Sequence, residues 1–106
     1  MNSADKAKVS SDIKIEIIKT IKESNSITSK IIFKNNTDEY IKFIRIEARF
    51  YDKDKKLIDL GKDKIWVKTP PNSESVEILN FNELDTDNIK SYGLHISEYE
   101  TDWFLY

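Results

Sequence analysis

Apolar and polar residues alternate in several short stretches of the chain. In the clearest stretch, residues 44–51, every second side chain is apolar: Ile44, Ile46, Ala48 and Phe50. The positions between them carry Arg45, Glu47, Arg49 and Tyr51. Successive side chains of a β-strand point to opposite faces, so this period of two predicts a strand with one buried and one exposed face.

Further strands are predicted on both sides of this one. Residues 13–17 alternate in the same way, although a helix with Ile17, Ile18 and Ile21 as its apolar stripe is an alternative there. The other predicted strands cover residues 27–34, 57–60, 64–68, a segment opened by Val76 and Ile78, residues 92–96, and an extension at 99–106. Seven or eight short strands with turn signals every ~8–12 residues are typical of a single antiparallel immunoglobulin-like β-sandwich.

The length of the chain suits one domain. Its 106 residues fall within the usual size of a single domain. Residues 1–11 are small, polar and charged, and we expect them to form a flexible lead-in to a domain that covers residues 12–106. No segment is apolar over the ~18 residues that would cross a bilayer, so no membrane span is expected.

Composition removes several kinds of chemistry. The chain has no cysteine, which excludes disulfides, thiolate metal ligands and thiol catalysis. Its single histidine, His95, falls on the outer side of a predicted strand and cannot build a zinc site alone. The formal net charge of −2 predicts no binding of nucleic acid. No cofactor is expected either, because the chain lacks a glycine-rich phosphate loop.

Acidic residues offer two weak signals. Asp52, Asp54 and Asp63 have part of the spacing of a calcium loop, but Leu57 occupies the position that requires glycine. The carboxylate pairs Asp52/Asp54 and Asp85/Asp87 could be imagined as a hydrolase dyad. A carboxylate-dependent hydrolase is therefore the least favoured of the functions considered, and we expect no catalytic or metal-binding residues.

Two groups of residues are candidates for binding a partner protein. One is the exposed side of the 44–51 strand, with Arg45, Arg49 and Tyr51. The other is the aromatic C-terminal segment, in which Trp103 and Tyr106 are the binding candidates. Tyrosine, tryptophan and arginine are enriched at the energetic centres of interfaces. The alternative for the C-terminal segment is that it closes the core.

The run from Ile31 to Ile78 resembles the FxLYD family of immunoglobulin-like domains. Four matching segments occur in order: Asn35-Asn36-Thr37, the naming motif within Ile44–Asp52, the charged turn Asp54–Ile58, and Pro71–Val76. In the motif, Tyr51 and Asp52 agree, while Ala48 stands in place of phenylalanine and Phe50 in place of leucine. A glycine common in the following turn is replaced by Lys55 or Lys56.

This resemblance implies a prokaryotic cell-envelope or secreted protein whose leader was removed, with a non-enzymatic binding or scaffold role. It implies no catalytic residue. A cytoplasmic or mobile-element protein that binds one partner, such as an immunity or inhibitor protein, is the alternative. Independently of the resemblance, Tyr92 has the spacing of a tyrosine corner, in which the hydroxyl bonds to backbone of the preceding corner.

Overall fold

The computed structural model describes residues 12–101, and these contain six strands. The strands are β1 (Ile13–Lys22), β2 (Ile27–Asn35), β3 (Ile41–Tyr51), β4 (Leu57–Ile65), β5 (Ser73–Phe81) and β6 (Ser91–Thr101). Two three-stranded antiparallel sheets result. We name the sheet with the order β1-β2-β5 the first sheet, and the sheet with the order β4-β3-β6 the second sheet.

The described residues contain fewer strands than the seven or eight predicted. The segments 57–60 and 64–68 were expected to be separate strands, but β4 is one strand that covers the first segment and reaches Ile65 in the second. Gly61, between the two segments, is paired with Ala48 of β3. An ideal Cβ on Gly61 would lie 2.6 Å from Cδ1 of Phe81. This glycine therefore allows the edges of the two sheets to approach, and it does not form a turn.

One core joins the two sheets. The first sheet contributes Ile31, Phe33 and Leu79, all fully buried, and the second sheet contributes the apolar side of β3, as its alternation predicts. The ring of Phe50 contacts those of Phe81 and Tyr92, with centroids 5.7 and 5.8 Å apart. This contact of rings from different strands places Phe50 at the centre of the core.

Strand β1 shows why its apolar pattern was ambiguous. The helical alternative for this segment is wrong, because β1 pairs with β2 from Ile13 to Lys22. The pairing register shifts between Ile17 and Lys19. Such a β-bulge adds one residue and interrupts the period of two. Ile17, Ile18 and Ile21 consequently remain partly exposed rather than forming one apolar stripe.

Tyr92 connects the sheets in a way that its sequence position did not predict. Its hydroxyl lies 2.5 Å from Oγ of Ser29 and 2.6 Å from Oγ1 of Thr20, both on the first sheet. The expectation of a hydroxyl bonded to backbone at the preceding corner is therefore wrong. Tyr92 is partly buried, and side chains of the facing sheet supply the polar partners of its hydroxyl.

The loops gather at two ends of the molecule. At the Asn35 end, β1 begins, β6 finishes at Thr101, and the loops 36–40 and 66–72 meet. There the buried Asn35 amide donates to the carbonyl oxygens of Glu39, Thr69 and Pro70 at 2.8–3.1 Å. At the Asp52 end lie the loops 23–26, 52–56 and 82–90. Ile13 and Thr101 therefore share one end, and the opposite end consists of loops alone.

Candidate protein-binding face

The outer face of the second sheet brings together three of the predicted site residues. Strand β3 carries Arg45, Arg49 and Tyr51, which are four and two positions apart. Because these spacings are even, all three point away from the core. Their neighbours on β4 are Lys64, Leu60 and Leu57. We call this outer surface of β4, β3 and β6 the basic face. Trp103 and Tyr106, the other two predicted residues, lie outside the described residues.

An aromatic pair lies on the basic face near the Asn35 end. The rings of Phe43 and Trp66 meet edge to face, with centroids 5.2 Å apart. Nζ of Lys64 lies 4.2 Å from the centroid of Phe43 and 4.7 Å from that of Trp66. Phe43 is thereby covered, whereas Trp66 keeps 51 % of its surface exposed. An ammonium group over an aromatic face is attracted by the ring quadrupole, so Lys64 is held near both rings.

Ion pairs leave an excess of positive charge on this face. Arg45 pairs with Glu98 at 3.2 Å, and Lys42 pairs with Glu100 at 3.5 Å. Glu47 receives a hydrogen bond from Nε of Arg49 at 3.0 Å. His95 lies 3.7 Å from Glu47 and points outward as predicted. The basic residues are Lys42, Arg45, Arg49, Lys62 and Lys64, against the acidic residues Glu47, Glu98 and Glu100.

Sequence reasoning missed the apolar part of the basic face. Leu57, Leu60 and Trp66 are each about half exposed. Leu60 and Trp66 fall out of phase with the inward residues Asp59, Gly61, Asp63 and Ile65, whereas Leu57 is in phase with them and faces outward only because of the register shift at the start of β4. Because the pairing register between β3 and β4 was unknown, nothing placed Leu60 and Leu57 beside Arg49 and Tyr51, or Trp66 on the same face beside Phe43.

A cavity of about 360 Å³ opens at the Asp52 end. It brings together Asp52, Asp59 and Asp85, with Lys53 and Lys90 also in its lining. Members of both carboxylate pairs considered from the sequence thus meet here. Among the described residues, no three acidic or histidine side chains are grouped to hold a metal ion.

The carboxylate of Asp52 is engaged in forming a turn. Its Oδ1 accepts hydrogen bonds from the backbone N–H of Asp54 at 2.8 Å and of Lys56 at 3.0 Å. These bonds, that from Lys56 above all, lower the pKa of Asp52. Lys55, within the turn, has a φ of 63°, a left-handed conformation that favours glycine. A catalytic acid needs a raised pKa, so Asp52 is suited to the turn and not to proton donation.

The turn formed by Asp52 makes a testable contribution to the pH dependence of stability. We expect a carbon-detected NMR titration to give a pKa for Asp52 below its ordinary value of 3.8. Because the folded-state pKa is lowered, its stabilising effect is complete above the unfolded-state pKa and is lost as the pH falls through the folded-state pKa. Asp52→Ala should therefore lower the melting temperature slightly at pH 7, and the difference should close as the pH falls below the lowered folded-state pKa. An Asp54→Ala control, which leaves both bonds intact, should show a smaller difference. A pKa above 3.8 would contradict the turn assignment.

The fold places the chain among all-β proteins that are built from two antiparallel sheets. It is similar to a DUF1425 family member from Shewanella sp. pv-4, with a TM-score of 0.54 and 8 % identity over 85 % of this chain and 81 % of that one. It is also similar to part of the β-glucosidase from Kluyveromyces marxianus in complex with glucose, with a TM-score of 0.51 and 13 % identity. That match covers 84 % of this chain and 15 % of the glucosidase. At such identities, the likeness concerns the fold alone.

No family model matches the chain, and no curated protein matches it either. Within residues 12–101 there is no helix with the length and apolar character to cross a membrane.

Proposed function

We propose that the chain is a non-enzymatic, immunoglobulin-like β-sandwich domain that binds a partner protein through the basic face. The observation that carries this proposal is the composition of that face. Exposed Leu60 and Leu57 lie beside Arg49 and Tyr51, and exposed Trp66 lies farther along the same face, beside Phe43. Aromatic and arginine side chains contribute most of the binding energy at many interfaces. The exposed side chains of this face are not part of the core.

The charge of the face specifies the partner. Lys62 and Lys64 have no carboxylate partner among the described residues, and the pairs made by Arg45 and Lys42 are solvent-exposed. Exposed ion pairs contribute little to stability. Arg45 and Lys42 can therefore exchange their present carboxylate partners for those of another protein. We therefore propose a partner surface that carries acidic residues around an apolar centre. Electrostatic complementarity of this kind raises association rates and selects the partner.

An envelope or secreted setting and FxLYD-type affiliation are part of the proposal. The affiliation is supported by the turn after β3, where Asp52 binds the backbone and Lys55 is left-handed, at the place where the family commonly has glycine. The rival setting is a cytoplasmic or mobile-element protein of the immunity or inhibitor type. A signal peptide or lipobox encoded directly upstream of Met1 would support the envelope setting, and a start codon with no such segment would contradict it.

Site-specific photo-crosslinking in the cells that make the protein tests the binding role. A benzoylphenylalanine placed at Leu60 should form a discrete adduct with one protein, identifiable by mass spectrometry. Ile21, which is similarly exposed on the outer face of the first sheet, is the matched control position and should form no such adduct. Trp66→Ala should reduce the Leu60 adduct by at least about tenfold, as for a residue that contributes ~1.4 kcal/mol.

The charge requirement is tested in the same assay. Arg49→Glu should abolish the adduct while leaving the circular dichroism spectrum unchanged, because Arg49 is exposed and its side chain forms an ion pair only with Glu47 among residues 12–101. Equal crosslinking from Leu60 and Ile21, or an adduct indifferent to both Trp66→Ala and Arg49→Glu, would contradict a binding role for the basic face.

A further inference from the structure

Within residues 12–101 four strands lie at sheet edges, and they differ in how they are protected against pairing with another chain. An edge strand exposes unpaired N–H and C=O groups, which natural proteins shield with bulges, lysines or inward-pointing charges. Strand β1 carries the bulge at Ile17 and Lys19. Strand β4 has a register shift near its start and turns Asp59 and Asp63 inward. Strand β6 has two register shifts along β3.

Strand β5 has only one of these protections, the inward-pointing Glu77, and it lacks both a bulge and a lysine. Its nine residues pair with β2 from Ser73 to Phe81 without a register shift, and they include neither lysine nor proline. Val76 and Ile78, on its outward side, are 58 % and 56 % exposed. They lie next to Ile32 and Lys30 of β2. A long, regular edge with exposed β-branched residues has the properties of a template for a further strand.

We propose that β5 is a second binding site, which takes up an extended segment of a partner protein as a fourth, antiparallel strand of the first sheet. Main-chain hydrogen bonds would hold such a segment, and its alternate side chains would set specificity. On the outward side the segment would present apolar residues opposite Val76 and Ile78. On the inward side it would present lysine or arginine opposite Glu77.

The requirement for a basic residue comes from charge complementarity. Glu77 points inward beside Ile31, is only partly exposed, and has no ion pair within residues 12–101. Asp63, on the inward side of the facing edge strand β4, adds a second carboxylate on this side of the molecule. A lysine in the added strand would face this negative charge, and opposite charges across a strand pair are stabilising.

The same carboxylate disfavours a second copy of this chain as the occupant. If two copies of β5 paired antiparallel with Val76 opposite Ile78, their Glu77 side chains would stand directly opposite each other. Like charges in that position are destabilising. A heterologous, basic segment is therefore the better complement, and self-association becomes an outcome of the test.

Binding of synthetic peptides to the full chain tests this proposal, which is independent of the basic face. The probe is a fluorescent nine-residue peptide with valine at positions two, four, six and eight, lysine at position five, and threonine elsewhere. A second peptide carries glutamate at position five, and a third carries proline at positions four and six. Fluorescence anisotropy should show the lysine peptide binding at least tenfold more tightly than either of the others.

Variants of the chain locate the site. The double variant Val76→Lys with Ile78→Lys should reduce binding of the lysine peptide at least tenfold. Ile21→Lys, on the outer face of the opposite edge strand, is the matched control and should bind like the unaltered chain. Glu77→Lys should reverse the preference in favour of the glutamate peptide. Circular dichroism checks that each variant is folded, and the exposed positions of Val76 and Ile78 favour this.

Any of four results would overturn the proposal. The first is failure of the lysine peptide to bind, and the second is binding that is indifferent to position five or to the double variant. The third is a dimer in sedimentation velocity that the double variant dissociates, which would assign β5 to a second copy of the chain. Loss of peptide binding with Arg49→Glu would likewise place the peptide on the basic face and remove β5 from consideration.

Discussion

Replacing Phe50 by alanine is expected to lower the free energy of unfolding by ~3–5 kcal/mol. Phe50 has no exposed surface, and its ring contacts both Phe81 of the first sheet and Tyr92 of its own sheet. Removing the ring leaves a cavity between the sheets that these rigid neighbours can fill only in part. Because a small domain has a total stability of only ~5–15 kcal/mol, the variant should be marginally folded at 25 °C. Urea denaturation followed by tryptophan fluorescence measures the effect.

Leu60→Ala provides the comparison for Phe50→Ala. Leu60 lies on the next strand but points outward, with about half of its surface exposed. Truncation of a partly exposed surface residue away from special features usually changes stability by less than ~0.5 kcal/mol. Similar losses in the two variants would show that Phe50 is not at the centre of the core.

Replacing Asn35 by aspartate is expected to lower the free energy of unfolding by at least ~3 kcal/mol, although the two side chains have almost the same shape. The Asn35 amide donates to three backbone carbonyl oxygens, and its Oδ1 accepts from the N–H and the hydroxyl of Thr37. A carboxylate would turn acceptors toward those three carbonyls in a fully buried position. It would therefore lose the donors, repel the carbonyl dipoles and bury a charge without a partner.

The loss of stability in Asn35→Asp should become smaller at acidic pH, because a protonated carboxyl group can donate one of the missing hydrogen bonds. Asn80→Asp is the matched control. The Asn80 amide donates only to Oγ1 of Thr28, on the exposed outer face of the first sheet. Thermal unfolding at pH 7 and pH 4 should separate the two variants. Equal melting temperatures for both at pH 7 would contradict the structural role of Asn35.

Strand β3 shows how much of the fold the sequence contains. Its alternation alone identified the buried and exposed sides correctly, because β3 is the central strand of its sheet and its inward positions all face the core. The edge strands were harder to predict. β4 places Asp59, Gly61 and Asp63 on its inward side, so polar residues stand where the pattern requires apolar ones. Inward-pointing charges on an edge strand hinder its pairing with another chain. The sequence pattern alone does not show which strands lie at an edge, because that depends on the sheet topology.

Asn35 and the basic face show two further limits of sequence reasoning. Asn35 is the last residue of β2, and its side chain accepts the N–H of Thr37 two residues ahead, a local bond that is typical of asparagine. That the same side chain is buried and connects the loops 36–40 and 66–72 depends on contacts distant in sequence. On the basic face, the β3 residues were found because they share a strand. Trp66 and Leu60 were not found, since their place on this face depends on the register in which β4 pairs with β3.

The shared position of Ile13 and Thr101 at the Asn35 end has a mechanical consequence. They lie in β1 and β6, which are edge strands on the same side of the molecule and are connected through Thr20 and Tyr92. Inter-strand hydrogen bonds run perpendicular to the strands, so a pull that separates these two points loads the bonds nearest the Asn35 end first. The bonds would then open one after another, as in a zipper, and would not resist together in shear. The domain should consequently yield at low force, which suits a module that displays a surface better than one that bears tension.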